Sequence, residues 1–368
     1  MEKRVINICD VCEEIFAGGD APKDRFSETK TDDFSVPIYS NGEANSGLYG
    51  YTNFSRVNVP SITVSARGTI GYTTIRHEPF VPIVRLITLV PKTDVIDINY
   101  LYYATQNYKF VNNGTSIPQL TVPMLKRYSF PLPSMEQQKK IADEFDKVTV
   151  LIDKRKRQLK ELDELVKSRF IEMFGDQTAN PYGWKKTSIG ACCALKSGTS
   201  LPADKENEGG AIPYVKVGDM NYPGNEQYIT TSSRFVSEQT AGTGVFPVGT
   251  VVFPKRGGAI GTNKKRLTRL PICADLNVMG VTAGRRLTPQ YLMAYFNTVD
   301  LGTLNNGSSV PQINNKDIAP LSICIPPLAL QNRFAAFVKQ VDKSKFEIKQ
   351  SLEKLELLKK SLMQKYFG

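Results

Sequence analysis

The second half of this chain repeats the first. Setting Asn112 on Asn305, an offset of 193, aligns the two stretches without a gap as far as Gly175 and Gly368. Asn112-Asn113-Gly114-Thr115-Ser116-Ile117-Pro118-Gln119 falls on Asn305-Asn306-Gly307-Ser308-Ser309-Val310-Pro311-Gln312. Pro133 falls on Pro326, Gln138 on Gln331, Leu159 on Leu352, Leu162 on Leu355 and Phe174 on Phe367. The match runs over 64 residues and includes a turn-forming stretch that shared helical composition cannot explain. The chain is therefore a duplication, and any fold proposed for it has to be built twice.

The repeated segment ends in a heptad pattern. Ile141, Phe145, Val148, Ile152, Arg155, Leu159, Leu162, Val166, Arg169 and Met173 follow one another at alternating spacings of four and three. The second copy reads Phe334, Val338, Val341, Lys345, Ile348, Leu352, Leu355, Lys359, Leu362 and Tyr366. A seam that recurs every 3.5 residues predicts a coiled coil rather than the stripe of a surface helix. Roughly 38 helical residues at about 1.5 Å each give a rod of about 57 Å, whose natural partner is the other rod. Arg155, Arg169, Lys345 and Lys359 interrupt the seam and would fix register at some cost in stability. The alternative is two independent helices, each docked on its own domain.

Between the rods the chain alternates short apolar runs with Gly, Asn and Ser turns. Val59–Ser65 and Val81–Val90 read as strands, and Asn99–Gln106 as a short helix entered after Asp97. Residues 185–326 replay this order: Ser65-Ala66-Arg67-Gly68-Thr69-Ile70-Gly71 resembles Pro254-Lys255-Arg256-Gly257-Gly258-Ala259-Ile260-Gly261, and Pro289–Phe296 stands where the first helix stood. The expectation is a mixed α/β protein with two similar globular domains and curved sheets. Domain one spans 1–133, the first rod 134–175, domain two 176–326 with a turn-rich linker at 176–184, and the second rod 327–368. The domains match only at strand ends and turns, which suits a protein that reads two different things.

The net charge of +11, with a pI near 9.2, is the footprint of a polyanion partner. No apolar run is long enough to span a bilayer, and Met1-Glu2-Lys3-Arg4-Val5 lacks the apolar core of a signal peptide, so a cytoplasmic protein without a membrane is expected. Cys9 and Cys12 have zinc-ligand spacing, but no second pair follows and His77 is the sole histidine, so no metal is assigned. Arg256–Lys264 misses the spacing of a phosphate-binding loop. Asn180-Pro181-Tyr182 lacks the second proline of the tetrad that holds an adenine for methylation. Histidine-based acid–base or nucleophilic machinery is likewise wanting.

Taken in tandem, these features resemble the specificity subunit of type I restriction–modification systems over the whole length. The residues that carry the resemblance are Pro131-Leu132-Pro133 with Glu136-Gln137-Gln138, Pro326-Pro327-Leu328 with Leu330-Gln331, Lys154-Arg155-Lys156, Ser168-Arg169-Phe170, Met173-Phe174-Gly175-Asp176, and Asn180-Pro181 with Gly183-Trp184. The resemblance implies a non-catalytic reader of double-stranded DNA. It has two target recognition domains, each on one half of a bipartite asymmetric site, in a pseudo-twofold repeat. Two long antiparallel helices set the spacer and dock two modification (methyltransferase) subunits. It implies no cofactor on this chain: S-adenosylmethionine, ATP and Mg belong to those subunits and to the restriction (translocase and endonuclease) subunits. The alternatives are a solitary DNA-modifying enzyme, methyltransferase or nuclease, and a coiled-coil adaptor without DNA binding.

For DNA contact, arginine reads guanine bidentately, Asn and Gln read adenine, and lysine neutralises phosphates. Arg67 and Arg256, the latter with Lys255 beside it, stand at strand ends next to glycines that admit a close backbone. Asn263-Lys264-Lys265-Arg266 with Arg269 is the densest basic cluster and reads as a phosphate-facing loop. Tyr39, Asn41 and Arg76 are further candidates in the first half. Ser116, Gln119, Ser309 and Gln312 lie in the duplicated loops; being alike in both halves, they suit scaffold or backbone contacts better than base reading.

Overall fold

Each half of the chain opens with a short strand that the end of the same half returns to pair. In a computed structural model describing residues 4–110, 118–304 and 310–368, Val5–Asn7 lies antiparallel to Ser129–Pro131, with Ile6 opposite Phe130. Lys186–Ser188 lies likewise on Ser322–Cys324, with Thr187 opposite Ile323. Inside that closure both halves repeat one topology. Cys12–Ala17, Ile87–Pro91, Ser61–Val64 and Thr73–Arg76 form a four-stranded sheet in that order. Its counterpart takes Cys193–Ser197, Val278–Ala283, Thr250–Pro254 and Arg266–Thr268, and adds Tyr228–Ile229 as a parallel edge. A smaller sheet sits alongside in each half: Val36–Tyr39 pairs antiparallel with Leu48–Thr52 and parallel with Val81–Pro82, and Ile212–Val215 does so with Phe235–Val236 and Cys273–Ala274. Strands run both parallel and antiparallel, and a short helix packs on the larger sheet of each half, so each half has the mixed α/β architecture expected.

The chain divides into two compact units, residues 1–157 with 349–368, and 158–348. The division falls inside both long helices, after Arg157 and after Ile348. The first long helix runs Met135–Phe174 and the second Leu328–Phe367, 40 residues each. Ser134 and Gln137 form a reciprocal cap at the first start: the Ser134 hydroxyl accepts from the Gln137 N–H (3.4 Å), and the Gln137 side-chain carbonyl accepts from the Ser134 N–H (3.3 Å). Gly175 stops this helix in the left-handed region (φ 76°), where its N–H donates to the Ile171 carbonyl. A Cβ there would sit 2.5 Å from the Pro181 ring, so glycine is required twice over.

Within each unit the two helices pair antiparallel, numbers rising on one as they fall on the other. In the first unit Glu144 accepts from the Tyr366 hydroxyl (2.9 Å), and Arg155 donates through Nε to the Ser351 hydroxyl (3.2 Å). In the second, Phe170 packs on Phe334 (5.7 Å between rings), and Lys345 donates to Asp163. Every residue of both predicted seams is buried or half-buried. The basic interruptions find partners: besides Arg155 and Lys345, Lys359 lies 5.9 Å over the Tyr103 ring and Arg169 5.9 Å over Phe337.

The duplicated glutamines explain themselves. Gln138 accepts from the Asp97 N–H (2.8 Å) and donates to the Val95 and Pro133 carbonyls (3.2 and 3.0 Å). Gln331 accepts from the Thr288 N–H (2.8 Å) and donates to the Arg286 and Pro326 carbonyls (both 2.9 Å). Asp97 and Thr288 cap the short helices Ile98–Gln106 and Pro289–Thr298. Each fully buried amide thus satisfies backbone groups that would otherwise be lost to water, and ties the long helix to its domain.

One predicted strand is corrected. Val81–Val90 is not continuous: Val84 (φ 52°) and Arg85 (φ 63°) take left-handed conformations and carry the chain from the small sheet to the larger one. Their N–H groups are held by the Gly19 and Gly18 carbonyls (2.7 and 3.0 Å). For a β-branched valine this conformation is strained, and strain of this kind gathers where function needs a fixed geometry.

Candidate nucleic-acid interface

The two Arg-Gly turns are built alike. In the first unit the strand Ser61–Val64 runs into a turn whose Gly68 has φ 68°; in the second, Thr250–Pro254 runs into Gly257 at φ 72°. The duplicated loop passes beside each turn. Leu120 N–H donates to the Ala66 carbonyl, and Ile313 N–H, 193 residues on, donates to the Lys255 carbonyl, both at 2.9 Å. Arg67 and Arg256 are exposed, each next to the glutamine of that loop, Gln119 or Gln312. Ser116 and Ser309 lie outside the described residues.

The side chains then diverge. Gln119 accepts from Arg67 through Nε (3.2 Å) and Nη2 (2.9 Å), and Arg85 Nη1 reaches the same oxygen at 3.5 Å. Asn41 joins the two turns from below: its amide donates to the Val84 carbonyl (2.6 Å) and its oxygen accepts from the Ala66 N–H (2.7 Å). The Gln312 amide instead donates to Asn314 (3.0 Å), and among the described residues it makes no side-chain hydrogen bond with Arg256. Lys255 donates to the Ser197 hydroxyl (3.0 Å). Arg85 was missed from the sequence because neither it nor Val84 is a turn-forming residue; the Gly18-Gly19 pair opposite was the available signal.

Several other candidates have partners within the fold, although Asn263 and Arg269 stay exposed. Lys265 is 5 % exposed, and its ammonium donates to the Asn263 side-chain and Val299 carbonyls, both at 2.7 Å. Asn263 also accepts from the Leu301 N–H (2.9 Å). Arg266 donates to the carbonyls of Asn225 (2.5 Å), Lys265 (2.8 Å) and Met220 (3.2 Å). Arg269 pairs with Asp342 (3.1 Å) and lies 3.8 Å over the Tyr228 ring. Lys264 donates to Asn221 and stays half-buried. In the first unit Arg76 is 5 % exposed, donates to Thr63 (3.1 Å) and the Ser46 carbonyl (2.5 Å), and sits 3.5 Å over the Tyr39 ring, whose hydroxyl donates to Glu78. Burial pushes the Arg76 pKa down, opposed by Tyr39 and Glu78, and pushes the Tyr39 hydroxyl up to about 12. This trio is a structural post.

Burial also pushes the Lys265 ammonium down from 10.5 to about 8. Between those values the unfolded chain holds a proton that the folded one has released, so folding gains stability as pH rises; below about 8 both forms are charged and the gain is absent. Urea unfolding of the second unit at pH 8 and pH 10 is expected to show wild type gaining on Lys265→Met. Equal shifts in the two proteins would contradict a charge held against burial.

Comparison with known proteins accords with the duplicated architecture. The family model described as the type I restriction modification DNA specificity domain matches residues 2–164 and again 181–359. A putative type I specificity subunit of Mycoplasma pneumoniae is 38% identical over 141 residues, 38% of this chain and 42% of that one. Together with a second from the same organism at 39%, this means that the matched part of the chain spans about two-fifths of the length of these relatives. The specificity subunit of the type I restriction enzyme MjaIX of Methanocaldococcus jannaschii is 24% identical over 308 residues, 76% of this chain and 70% of that one. The crystal structure of the S subunit of a type I restriction–modification system from M. genitalium superposes with a TM-score of 0.62 at 16% identity, covering 99% of this chain and 96% of that one, a likeness of fold. With both halves matched by one model, the chain belongs to the type I restriction modification DNA specificity domain family.

Proposed function

We propose that this protein is the DNA-reading subunit of a type I restriction–modification complex and has no catalysis of its own. Each unit contacts one half of a bipartite, asymmetric duplex site. The two long helices set the spacing and dock two modification subunits, with restriction subunits joining the assembly. S-adenosylmethionine, ATP and Mg act on those partners, in the cytoplasm. Among the described residues no helix is long and apolar enough to cross a membrane.

The observation that supports this reading best is the pair of exposed Arg-Gly turns, each held by the same backbone hydrogen bond from the duplicated loop and furnished differently around it. A common frame with unlike side chains is what two sequence readers descended from one ancestor require, because backbone positioning can be shared while base contacts cannot. The net charge of +11 favours the duplex electrostatically. The relatives bear the name of specificity subunits.

Fluorescence anisotropy with duplex DNA from low to high salt tests the reading. Affinity should fall linearly on logarithmic axes, and Arg256→Ala should reduce the slope by about one. Binding insensitive to salt, or none, would contradict it. Methyl transfer by the purified chain alone, given DNA and S-adenosylmethionine, would overturn the non-catalytic part.

A further inference from the structure

In the first unit two arginines from separate turns converge on one neutral oxygen. Gln119 Oε1 accepts from Arg67 along its Nε–Nη2 edge and lies at the limit of hydrogen bonding from Arg85. Both side chains are exposed, and among the described residues neither forms an ion pair. Like charges gathered without a carboxylate are paired best by a ligand rich in acceptors. The arrangement is also made rigid at some cost: Arg85 stands in a left-handed turn beside a strained valine, and Asn41 bonds the backbone just before each arginine.

Rigidity separates two kinds of acceptor. A phosphate is neutralised by a flexible point charge, whereas a base edge needs a planar fork held in one orientation. With the Nε–Nη2 edge of Arg67 taken by Gln119, its other edge, Nη1 with the second Nη2 hydrogen, has no hydrogen-bond partner among the described residues. That edge matches guanine O6 and N7. The second unit has the same turn without the support, since Gln312 donates to Asn314 and the chain at the position of Val84-Arg85 reads Asp275-Leu276-Asn277.

We infer that Arg67 and Arg85 form a guanine-reading fork in the first unit, with Gln119 and Asn41 as positioning residues, and that Arg256 makes a backbone contact without base preference. The inference rests on the DNA-reading function proposed above and assigns it a base and a side.

Selection from a randomised duplex library, using the complex purified through a tag on the full chain, tests it. The wild-type consensus should carry guanine in one half-site. Arg67→Lys keeps the charge and loses the fork, so it should lower the preference for that guanine roughly 10-fold or more, while the other half-site stays as it was. Arg85→Lys should weaken the same position, and Arg256→Lys should leave it untouched. Gln119→Ala should relax the preference with total affinity changed by no more than about threefold, a split that mere unfolding would not give. The other positions of the same half-site, still read as in wild type, report that the first unit of each variant is folded. A consensus unchanged in Arg67→Lys and Arg85→Lys would make these phosphate contacts and overturn the inference, as would a wild-type consensus without guanine, both leaving DNA reading intact. A wild-type complex that enriches no sequence would sink the DNA reading and this inference together.

Discussion

Phe174→Ala is expected to destabilise the second unit by about 3–5 kcal/mol, and Phe367→Ala the first unit by a similar amount. These phenylalanines end the two long helices and are the last apolar residues of the duplicated segment. Phe174 is fully buried, with Tyr291 at 4.8 Å, Phe170 at 5.2 Å and Phe334 at 5.5 Å between ring centres. Phe367 meets Tyr100 at 5.1 Å and Phe145 at 5.9 Å, while Asn107 donates to its carbonyl (3.1 Å). Truncation leaves a cavity walled by aromatic rings that cannot collapse into it, which places the cost at the upper end for a core deletion. A chain of two units does not unfold in one step, so the effect is best read separately in each by native-state hydrogen exchange. Phe174→Ala should speed the slowest amides of Val278–Ala283 roughly 10²–10⁴-fold, and Phe367→Ala those of Ile87–Pro91. Phe346→Ala, 60% exposed on the same helix pair, should change little. A Phe174→Ala protein behaving like Phe346→Ala would contradict the docking of the helix end in the core.

What was legible in the sequence is what has a period or a copy. The seam could be read because burial along a helix recurs every 3.5 residues whatever the partner is. Gln138 and Gln331 could be singled out as a repeated pair, but their task could not, since the carbonyls they satisfy at Val95 and Arg286 lie far away in the chain. The basic run at 263–269 looked like surface because charge density usually marks solvent. Within it Lys265 is buried and Arg266 half-buried, where they donate to the Met220, Asn225 and Val299 carbonyls, while Asn263 and Arg269 stay exposed. Val84 and Arg85 were hidden for the opposite reason: their intrinsic preference is extended, and only the contacts with Gly18, Gly19 and Asn41 hold them otherwise.

The second large effect concerns spacing. If the helices fix the separation of two independent readers, changing their length should change the DNA site and spare the readers. Four residues inserted after Arg157 and four after Ile348, the points where each helix passes from one unit to the other, lengthen both by about 6 Å. At about 3.4 Å per base pair, that amounts to one or two base pairs of spacer. Both half-sites should keep their sequences, because the Arg67 and Arg256 turns and the sheets that carry them are untouched. Mapping methylated sites in cells that carry the lengthened protein measures this directly. The same two half-sites should be methylated, further apart by one or two base pairs; methylation at the original spacing would contradict a separation set by the helices.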